Sequence, residues 1–200
     1  DRLVSRGLGD VYKRQHVDDA YRKIFQISDP TKALVSDEKV DLEEFTKRIA
    51  SLPLEFNPGD QWLYSVSIDI CARLIEVISG KSIEDYFQEN IFDPLGMEDT
   101  GFFVKEENLK NLAACYFRDE NKKLHVHDPG AKESRYAKPR EFNGGGSGLI
   151  STSFDYFKFL QMLLNGGTYN GNRILSRKTI ELMTMNHLPN NKNMSDMGLS

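Results

Sequence analysis

The sequence predicts a protein of the α+β class, built mainly from helices with a few short extended segments. Apolar residues recur at helical spacing over residues 41–52, 68–79 and 154–164. Shorter runs at Phe102 to Val104 and at Leu124 to His127 are typical of strands. With 200 residues, of which 39% are hydrophobic and 28% charged, the chain has the composition of one ordinary globular domain.

Capping residues and glycines mark where these elements begin and end. Residues 18–27 form a weakly amphipathic segment, and a short helix is predicted over 106–114. Gly80 is suited to end the helix over 68–79, and Asp93-Pro94-Leu95-Gly96 is expected to turn the chain. The expected N-caps are Ser65 or Ser67 for helix 68–79, Ser82 for a helix through Phe92, Ser151 or Ser153 for helix 154–164, and Ser176 for the final helix.

Charge and composition exclude several classes of partner. The formal net charge is −4, and no run of lysines and arginines gives the electrostatic footprint of a nucleic-acid or anionic-membrane binder. No apolar run is long enough to span a bilayer. We therefore expect a small, neutral or modestly charged substrate.

Neither a metal nor a nucleotide cofactor is predicted. Cys71 and Cys115 lie far apart and in no metal-ligand spacing; Cys71 is best explained as a small buried side chain, and a disulfide between the two stays open. His125 and His127 alternate in a polar stretch without further ligands. The glycine run 144–148 lacks the lysine of a phosphate-binding loop and the strand that precedes a dinucleotide site.

The most informative stretch runs from Gln61 to Ser67, between the Asn57-Pro58-Gly59-Asp60 turn and the helix over 68–79. It places Tyr64 where a loop becomes a helix. Catalytic side chains often occupy such positions because the loop grants access and the helix fixes direction.

Blocks of sequence from His16 to about Pro189 resemble the serine β-lactamase-related family, which includes class C β-lactamases, D-alanyl-D-alanine carboxypeptidases and esterases. Each block alone is weak, but their order and spacing are specific. The blocks are Pro58-Gly59 through Trp62-Leu63-Tyr64-Ser65, Glu76 to Gly80, Ile91 to Met97 with Thr100-Gly101-Phe102, Gly144 to Leu149 with Ser151-Thr152, and Gln161 to Gly167.

The resemblance implies a β-lactamase/transpeptidase-like fold, with an antiparallel sheet flanked by helices and a helical lobe, here incomplete at both ends. It also implies acyl transfer through a serine ester, without cofactor or metal. Tyr64 matches the family's catalytic tyrosine, which takes part in proton transfer, and Ser65 and Val66 would lie beside the substrate. The glycine run would be a structural bend near the cleft with no chemical role.

The serine nucleophile is not found among these blocks. The literal Ser-x-x-Lys at Ser36 to Lys39 contains two acids and is followed by more, which a buried active-site helix does not tolerate. We expect the family's motif upstream of His16, so that residues 16–200 are the central part of one hydrolase domain. Residues 1–15 have no counterpart in the family and resemble translated adapter sequence, so we expect them to be non-native. The fragment alone is expected to be inactive.

One departure from the family narrows the expected substrate. Class C β-lactamases carry an asparagine two places after the tyrosine, where this chain has Val66. Because valine cannot form the amide's hydrogen bond, an esterase-like hydrolase acting on a small ester, or on an amide or lactam, is favoured over an efficient β-lactamase. The alternative is a family member without catalytic activity that acts as a binding or scaffold protein.

Overall fold

The computed structural model describes residues 40–54, 57, 66–191 and 193. These residues belong to two compact units. The first takes its residues from Asp1–Tyr86, Glu141–Ser147 and Glu181–Ser200, and the second from Phe87–Arg140 and Gly148–Ile180. The amphipathic segment predicted over 18–27 lies outside the described residues.

Among the described residues, two helices are the longest of the first unit. Helix α1 spans Leu42–Ala50, and its N-cap Asp41 accepts a hydrogen bond from the backbone N–H of Glu44 at 2.8 Å. Helix α2 spans Ser67–Ser79 and ends at Gly80, which adopts a left-handed conformation (φ 69°) as predicted.

Helices α1 and α2 pack against each other through a small apolar core and an ion pair. The ring of Phe45 on α1 lies 5.1 Å from the ring of Phe142. Arg73 on α2 donates to Glu43 on α1 at 2.5 Å and to Glu76 on its own helix at 3.1 Å. The buried apolar residues of this unit are Leu42, Phe45, Ile49, Ala72 and Ile83.

The next helical segment is longer and less regular than predicted. Helix α3 spans Ile83–Phe87, and Ser82 caps it by accepting from the N–H of Asp85 at 3.0 Å. One π-helical turn, Gln88–Phe92, follows, and a last α-helical turn, α4, spans Asp93–Leu95. The helical segment thus continues three residues beyond its predicted end at Phe92, and the chain turns at Gly96 (φ 66°), within the predicted Asp93 to Gly96 turn.

The second unit contains two small antiparallel hairpins. Strands β1 (Cys115–Arg118) and β2 (Leu124–Asp128) pair with Tyr116 opposite Val126, and the register shifts between Cys115 and Tyr116. Strands β3 (Thr168–Tyr169) and β4 (Asn172–Arg173) form a second, very short hairpin. The extended stretch predicted near Leu124 is thus half of the larger hairpin.

Two predicted elements take other forms. Phe102 to Val104 is not a strand, because only an isolated bridge between Gly101 and Ile150 forms there and the N–H of Val104 donates to the carbonyl of Tyr136. The helix predicted over 106–114 is a shorter 3₁₀ helix, Glu106–Asn111.

The last two α-helices of the described residues both begin at a hydroxyl side chain that acts as N-cap. Helix α5 spans Ser153–Leu164, and its N-cap is Thr152, which accepts from the N–H of Asp155 at 3.1 Å. The serines on either side were the predicted caps, and that prediction is wrong by one residue. Ser176 caps helix α6, Arg177–Met183, as predicted, by accepting from the N–H of Thr179 at 3.0 Å.

The core of the second unit forms where α4 and α5 meet. The ring of Phe87 stacks on that of Phe102 at 6.3 Å, next to this core. The buried residues of this core are Phe92, Leu95, Met97 and Met162.

A buried carboxylate, Asp155 of α5, ties this core to the turn that follows α4. Asp155 is 2% exposed and accepts hydrogen bonds from the N–H of Asp99 (2.8 Å), the hydroxyl of Thr100 (3.0 Å) and the ammonium of Lys158 (2.8 Å). Lys158 also donates to the carbonyl of Gly96. One side chain therefore fixes a turn 55 residues away in the chain.

Both cysteines are free; Cys71 is half-buried and Cys115 exposed. None of the helices within the described ranges combines the length and apolar character that a bilayer-spanning segment needs.

We expect Asp155→Ala to destabilise the protein by about 3 kcal/mol, because it leaves the ammonium of Lys158, whose side chain is 14% exposed, without its carboxylate. Asp99→Ala is the control: its exposed side chain accepts only from Asn108 among the described contacts, and its backbone N–H is retained. Urea unfolding of both variants measures the difference. Equal losses in the two variants would contradict the role assigned to Asp155.

Candidate functional site

The described chain resumes at Val66, at the start of α2. The predicted catalytic Tyr64 and the predicted substrate-side Ser65 lie outside the described residues. The carbonyl of Val66 accepts from the N–H groups of Asp69 (3.0 Å) and Ile70 (3.2 Å), so this residue is the N-cap of α2. Its side chain is half-buried, and its role beside a substrate stays a prediction.

Ser67 does not cap α2, contrary to one of the two predictions. It is the first residue of the helix, and its hydroxyl is buried without a hydrogen-bond partner among the described residues. Val66 is therefore the N-cap of the helix, and its side chain makes no capping hydrogen bond.

The glycine run packs directly on the first turns of α2. A Cβ atom built on Gly145 would lie 2.5 Å from the carbonyl oxygen of Ile68 and 2.8 Å from the Cβ of Ala72. One built on Gly144 would lie 2.5 Å from a carboxylate oxygen of Asp69. Because the atoms met at Gly145 are helix backbone and the Cβ of Ala72, which cannot move aside, that position requires glycine for close contact with the helix. The atoms met at Gly144 belong to side chains, which can adjust.

Asp69 holds this loop by its backbone. The N–H of Gly146 donates to Asp69 Oδ1 at 3.1 Å, and Gly145 also donates a backbone hydrogen bond to the carboxylate. Burial raises the pKa of the Asp69 carboxyl, and these N–H groups offset only part of the rise. The loop is thus attached to the first turn of the helix that follows Tyr64.

A second carboxylate supports the same loop from α3. The side-chain amide of Asn143 donates to Glu84 Oε2 at 2.9 Å, and the amide oxygen of Asn143 is buried without a partner among the described residues. Burial raises the pKa of Glu84, and the neighbouring charge of Asp85 raises it further. Two acidic side chains from two helices therefore hold residues 143–146.

Sequence reasoning missed Asp69 as a site residue. Its partner loop lies 77 residues further along the chain, which no local pattern reveals. The available signal was an acid between Ile68 and Ile70, at the start of a mainly apolar helical segment. An acid in such a position requires hydrogen-bond donors from elsewhere in the fold.

The N–H groups of the glycine loop face an acidic side chain. The N–H groups of Gly145 and Gly146 are directed at the Asp69 carboxylate, which would repel a phosphate. Within the part of the chain that the structure describes, no three His, Cys, Asp or Glu side chains are grouped so that they could hold a metal ion.

Comparison with known proteins identifies the family. The family model described as Beta-lactamase matches residues 15–194, so the chain belongs to the beta-lactamase family, as the sequence blocks indicated.

Two curated relatives illustrate the match. The chain is 36% identical over 140 residues to an uncharacterized protein of Mycobacterium tuberculosis, covering 70% of this chain and 34% of the relative. It is 31% identical over 144 residues to lovastatin esterase of Penicillium rubens, covering 68% of this chain and 33% of the relative. The chain thus spans about a third of the length of the curated relatives it matches.

Solved structures confirm the fold class. Simvastatin synthase (LovD) from Aspergillus terreus superimposes with a TM-score of 0.67 at 23% identity, over 98% of this chain and 44% of that one. The fold is β-lactamase/transpeptidase-like and of the α+β class, with helices and small antiparallel sheets.

Gly145→Ala should destabilise the protein by about 1–3 kcal/mol, because the new methyl group meets backbone that cannot move without shifting α2. Gly146→Ala is the matched control, since its Cβ would approach only the Asp69 carboxylate, at 3.3 Å, and that side chain can adjust. Thermal unfolding monitored by circular dichroism gives both values. A larger loss for Gly146→Ala would refute the close-packing explanation.

Asp69→Asn should flatten the pH dependence of stability. The pKa of Asp69 is raised in the folded state. Its favourable contribution to the free energy of unfolding is therefore fully present below the unfolded-state pKa of about 3.9 and is lost as the pH rises through the folded-state pKa. Relative to the variant, the wild-type free energy of unfolding should therefore fall between about pH 3 and pH 7. Urea titrations across that range measure it, and parallel profiles would rule out the assigned burial effect.

Proposed function

We propose that the protein to which this chain belongs is a serine hydrolase that cleaves a small ester, or an amide or lactam, through a serine acyl-enzyme. The observation that carries the proposal is the match of residues 15–194 to the beta-lactamase family. It is supported by a relative named as an esterase, lovastatin esterase, that is 31% identical over 144 residues.

In the proposed mechanism, Tyr64 takes part in proton transfer. A serine hydroxyl is a weak nucleophile until a base accepts its proton. A free phenol has a pKa of about 10, so a lysine ammonium beside Tyr64 would have to lower that pKa for the phenolate to exist near neutrality. The proposal puts this lysine and the serine in a Ser-x-x-Lys motif upstream of His16.

The reaction then proceeds in two steps, acylation of the serine and hydrolysis of the acyl-enzyme. The serine oxygen forms a bond to the substrate carbonyl carbon while its proton moves to the base; the ester C–O bond breaks, and the leaving alkoxide receives that proton. Water next attacks the acyl carbon and gives a proton to the same base; the bond between the acyl carbon and the serine oxygen breaks, the acid is released, and the base returns the proton to the serine oxygen.

The contacts at the start of α2 support the proposed catalytic role of Tyr64. Tyr64 precedes the helix by three residues, and the first turn of that helix is fixed by the Val66 carbonyl cap and by the contact of Asp69 with the glycine loop. A helix start held by tertiary contacts limits the freedom of the residues attached to it, which favours catalysis by a fixed side chain.

Val66 supports an ester over a β-lactam as the preferred substrate. Its side chain offers no hydrogen bond where class C β-lactamases have an amide. A site that lacks this donor and acceptor does not select for an acylamino side chain.

In the full-length protein, Tyr64→Phe should lower kcat for a short-chain p-nitrophenyl ester by about 10²- to 10⁴-fold while leaving the melting temperature nearly unchanged. Tyr116→Phe is the control, because Tyr116 lies exposed on β1 and should retain wild-type turnover. Near wild-type turnover in Tyr64→Phe would refute the role of the tyrosine.

A labelling experiment on the same full-length protein distinguishes an enzyme from an inactive binding protein. A fluorophosphonate probe should label a single serine of a Ser-x-x-Lys motif, and the label should be absent from the Ser→Ala variant. No labelling together with no esterase activity would favour the binding or scaffold alternative.

A further inference from the structure

A short segment of the second unit concentrates positive charge in an otherwise acidic chain. Residues 132–140 contain four cationic side chains and one acid, whereas the whole chain has a formal net charge of −4. The cations are Lys132, Arg135, Lys138 and Arg140. Such a local reversal of charge favours an anionic ligand.

Arg140 is the unusual member of this segment. Its side chain is half-buried, yet it has no carboxylate or hydrogen-bond partner among the described residues; it contacts the ring of Tyr136, whose centroid lies 5.7 Å from the guanidinium carbon. Burial lowers the pKa of Arg140, the interaction with Tyr136 offsets part of this, and the like charge of Arg135 lowers the pKa further. A guanidinium group has five N–H donors, and leaving them desolvated and unpaired is costly.

Arg135 differs from Arg140 because it already has its partners. Its guanidinium lies 4.8 Å from the Tyr136 ring centroid and donates to the Tyr136 hydroxyl at 2.9 Å. Its Nε also lies 3.9 Å from a carboxylate oxygen of Asp128. Two cations thus share one aromatic ring, and only one of them has a counter-charge within the described part of the chain.

Buried hydrogen bonds fix the backbone that carries these groups. Asp128 accepts from the N–H groups of Gly130 (2.9 Å) and Arg135 (3.2 Å), and the carbonyl of Tyr136 accepts from the N–H of Val104 at 2.8 Å. Burial alone would raise the pKa of Asp128, but these bonds, with one from Ser134 and the charge of Arg135, lower it overall. These hydrogen bonds hold the part of the loop that carries Arg135 and Tyr136, which reduces the entropy lost on binding there.

Gly148 lies close to Arg140 and Phe102. The position that a Cβ atom would occupy on Gly148 is 4.0 Å from Arg140 Nη1 and 3.6 Å from the ring of Phe102, which are ordinary contact distances. Arg140 is therefore near an apolar ring and a residue without a side chain.

We propose that Arg140, assisted by Arg135 and the hydroxyl of Tyr136, binds the carboxylate group of a small-molecule ligand. A carboxylate matches the planar fork of a guanidinium group and supplies the one negative charge that Arg140 lacks. The Tyr136 hydroxyl accepts from Arg135 and so keeps its own hydrogen to donate to the second carboxylate oxygen. Phosphate is disfavoured because Asp128 already compensates Arg135, which leaves a single uncompensated arginine at this place.

This inference goes beyond the proposed hydrolase activity and does not depend on it, because binding is measured directly on the 200-residue chain. Titrations with benzoate, followed by ¹H–¹⁵N NMR, should shift the Arg140 Nε–H signal and the backbone signals of residues 135–140. Benzamide, which has the same ring but no charge, should cause no such shifts. Equal shifts with benzamide, or none with benzoate, would overturn the proposal.

Matched variants separate a site from diffuse electrostatics. Arg140→Gln should weaken benzoate binding at least about tenfold, whereas Lys132→Gln, which removes the same charge from an exposed position of the same segment, should change it less than about twofold. Arg140→Lys keeps the charge but loses the fork, and we expect binding weaker by about fivefold or more. Equal effects of Arg140→Gln and Lys132→Gln would refute a specific site.

Two further ligands identify the source and type of the anion. N-acetyl-alanyl-alanine binding more tightly than benzoate, with its C-terminal amide not binding, would support the proposal and assign the carboxylate to a peptide end; the reverse order would support it and assign the carboxylate to a free acid. Inorganic phosphate binding more tightly than both, with the same dependence on Arg140, would overturn the choice of a carboxylate.

Discussion

The contact between the glycine loop and α2 is the constraint on which the candidate site depends. Loop backbone and helix approach so closely at Gly145 that no side chain fits between them, and the Asp69 carboxylate accepts hydrogen bonds from the N–H groups of Gly145 and Gly146. Close packing and these hydrogen bonds therefore support each other. Without the carboxylate, the N–H group of the half-buried Gly145 would lose its acceptor; with a side chain at Gly145, the loop could not lie close enough for these bonds.

The same arrangement recurs in both units. Asp69, Asp128 and Asp155 each accept hydrogen bonds from the backbone of a neighbouring loop or turn, and each is buried to a large degree. The described strands are short and pair only in two-stranded hairpins. Carboxylate side chains thus provide hydrogen-bond acceptors for loop N–H groups that no sheet ladder satisfies.

The sequence predicted those features that depend on neighbouring residues. The N-caps at Ser82 and Ser176 and the end of α2 at Gly80 were correct because each needs only a local hydrogen bond or a left-handed residue. The choice of Ser151 or Ser153 over Thr152 was wrong, since three adjacent hydroxyl residues have similar preference for the cap and only the backbone angles distinguish them.

Features that depend on distant residues were not predictable in this way. Phe102 has the composition of a strand residue but is buried against the ring of Phe87, and the bonds that a strand would need go elsewhere. For Tyr64 the order and spacing of the sequence blocks supply its assignment, and it stays a prediction.

The π-helical turn Gln88–Phe92 has a consequence for how this region tolerates changes in length. A π turn holds one residue more than the α-helical geometry on either side of it. Deleting one residue there would restore a regular α-helix and leave the flanking segments in nearly their present register, because the π turn absorbs the extra residue locally. Phe92 and Leu95 would then keep their places in the core around Met162, so a one-residue deletion within Gln88–Phe92 should be tolerated better than one in the α-helical turns on either side, where it would rotate the following residues by about 100°.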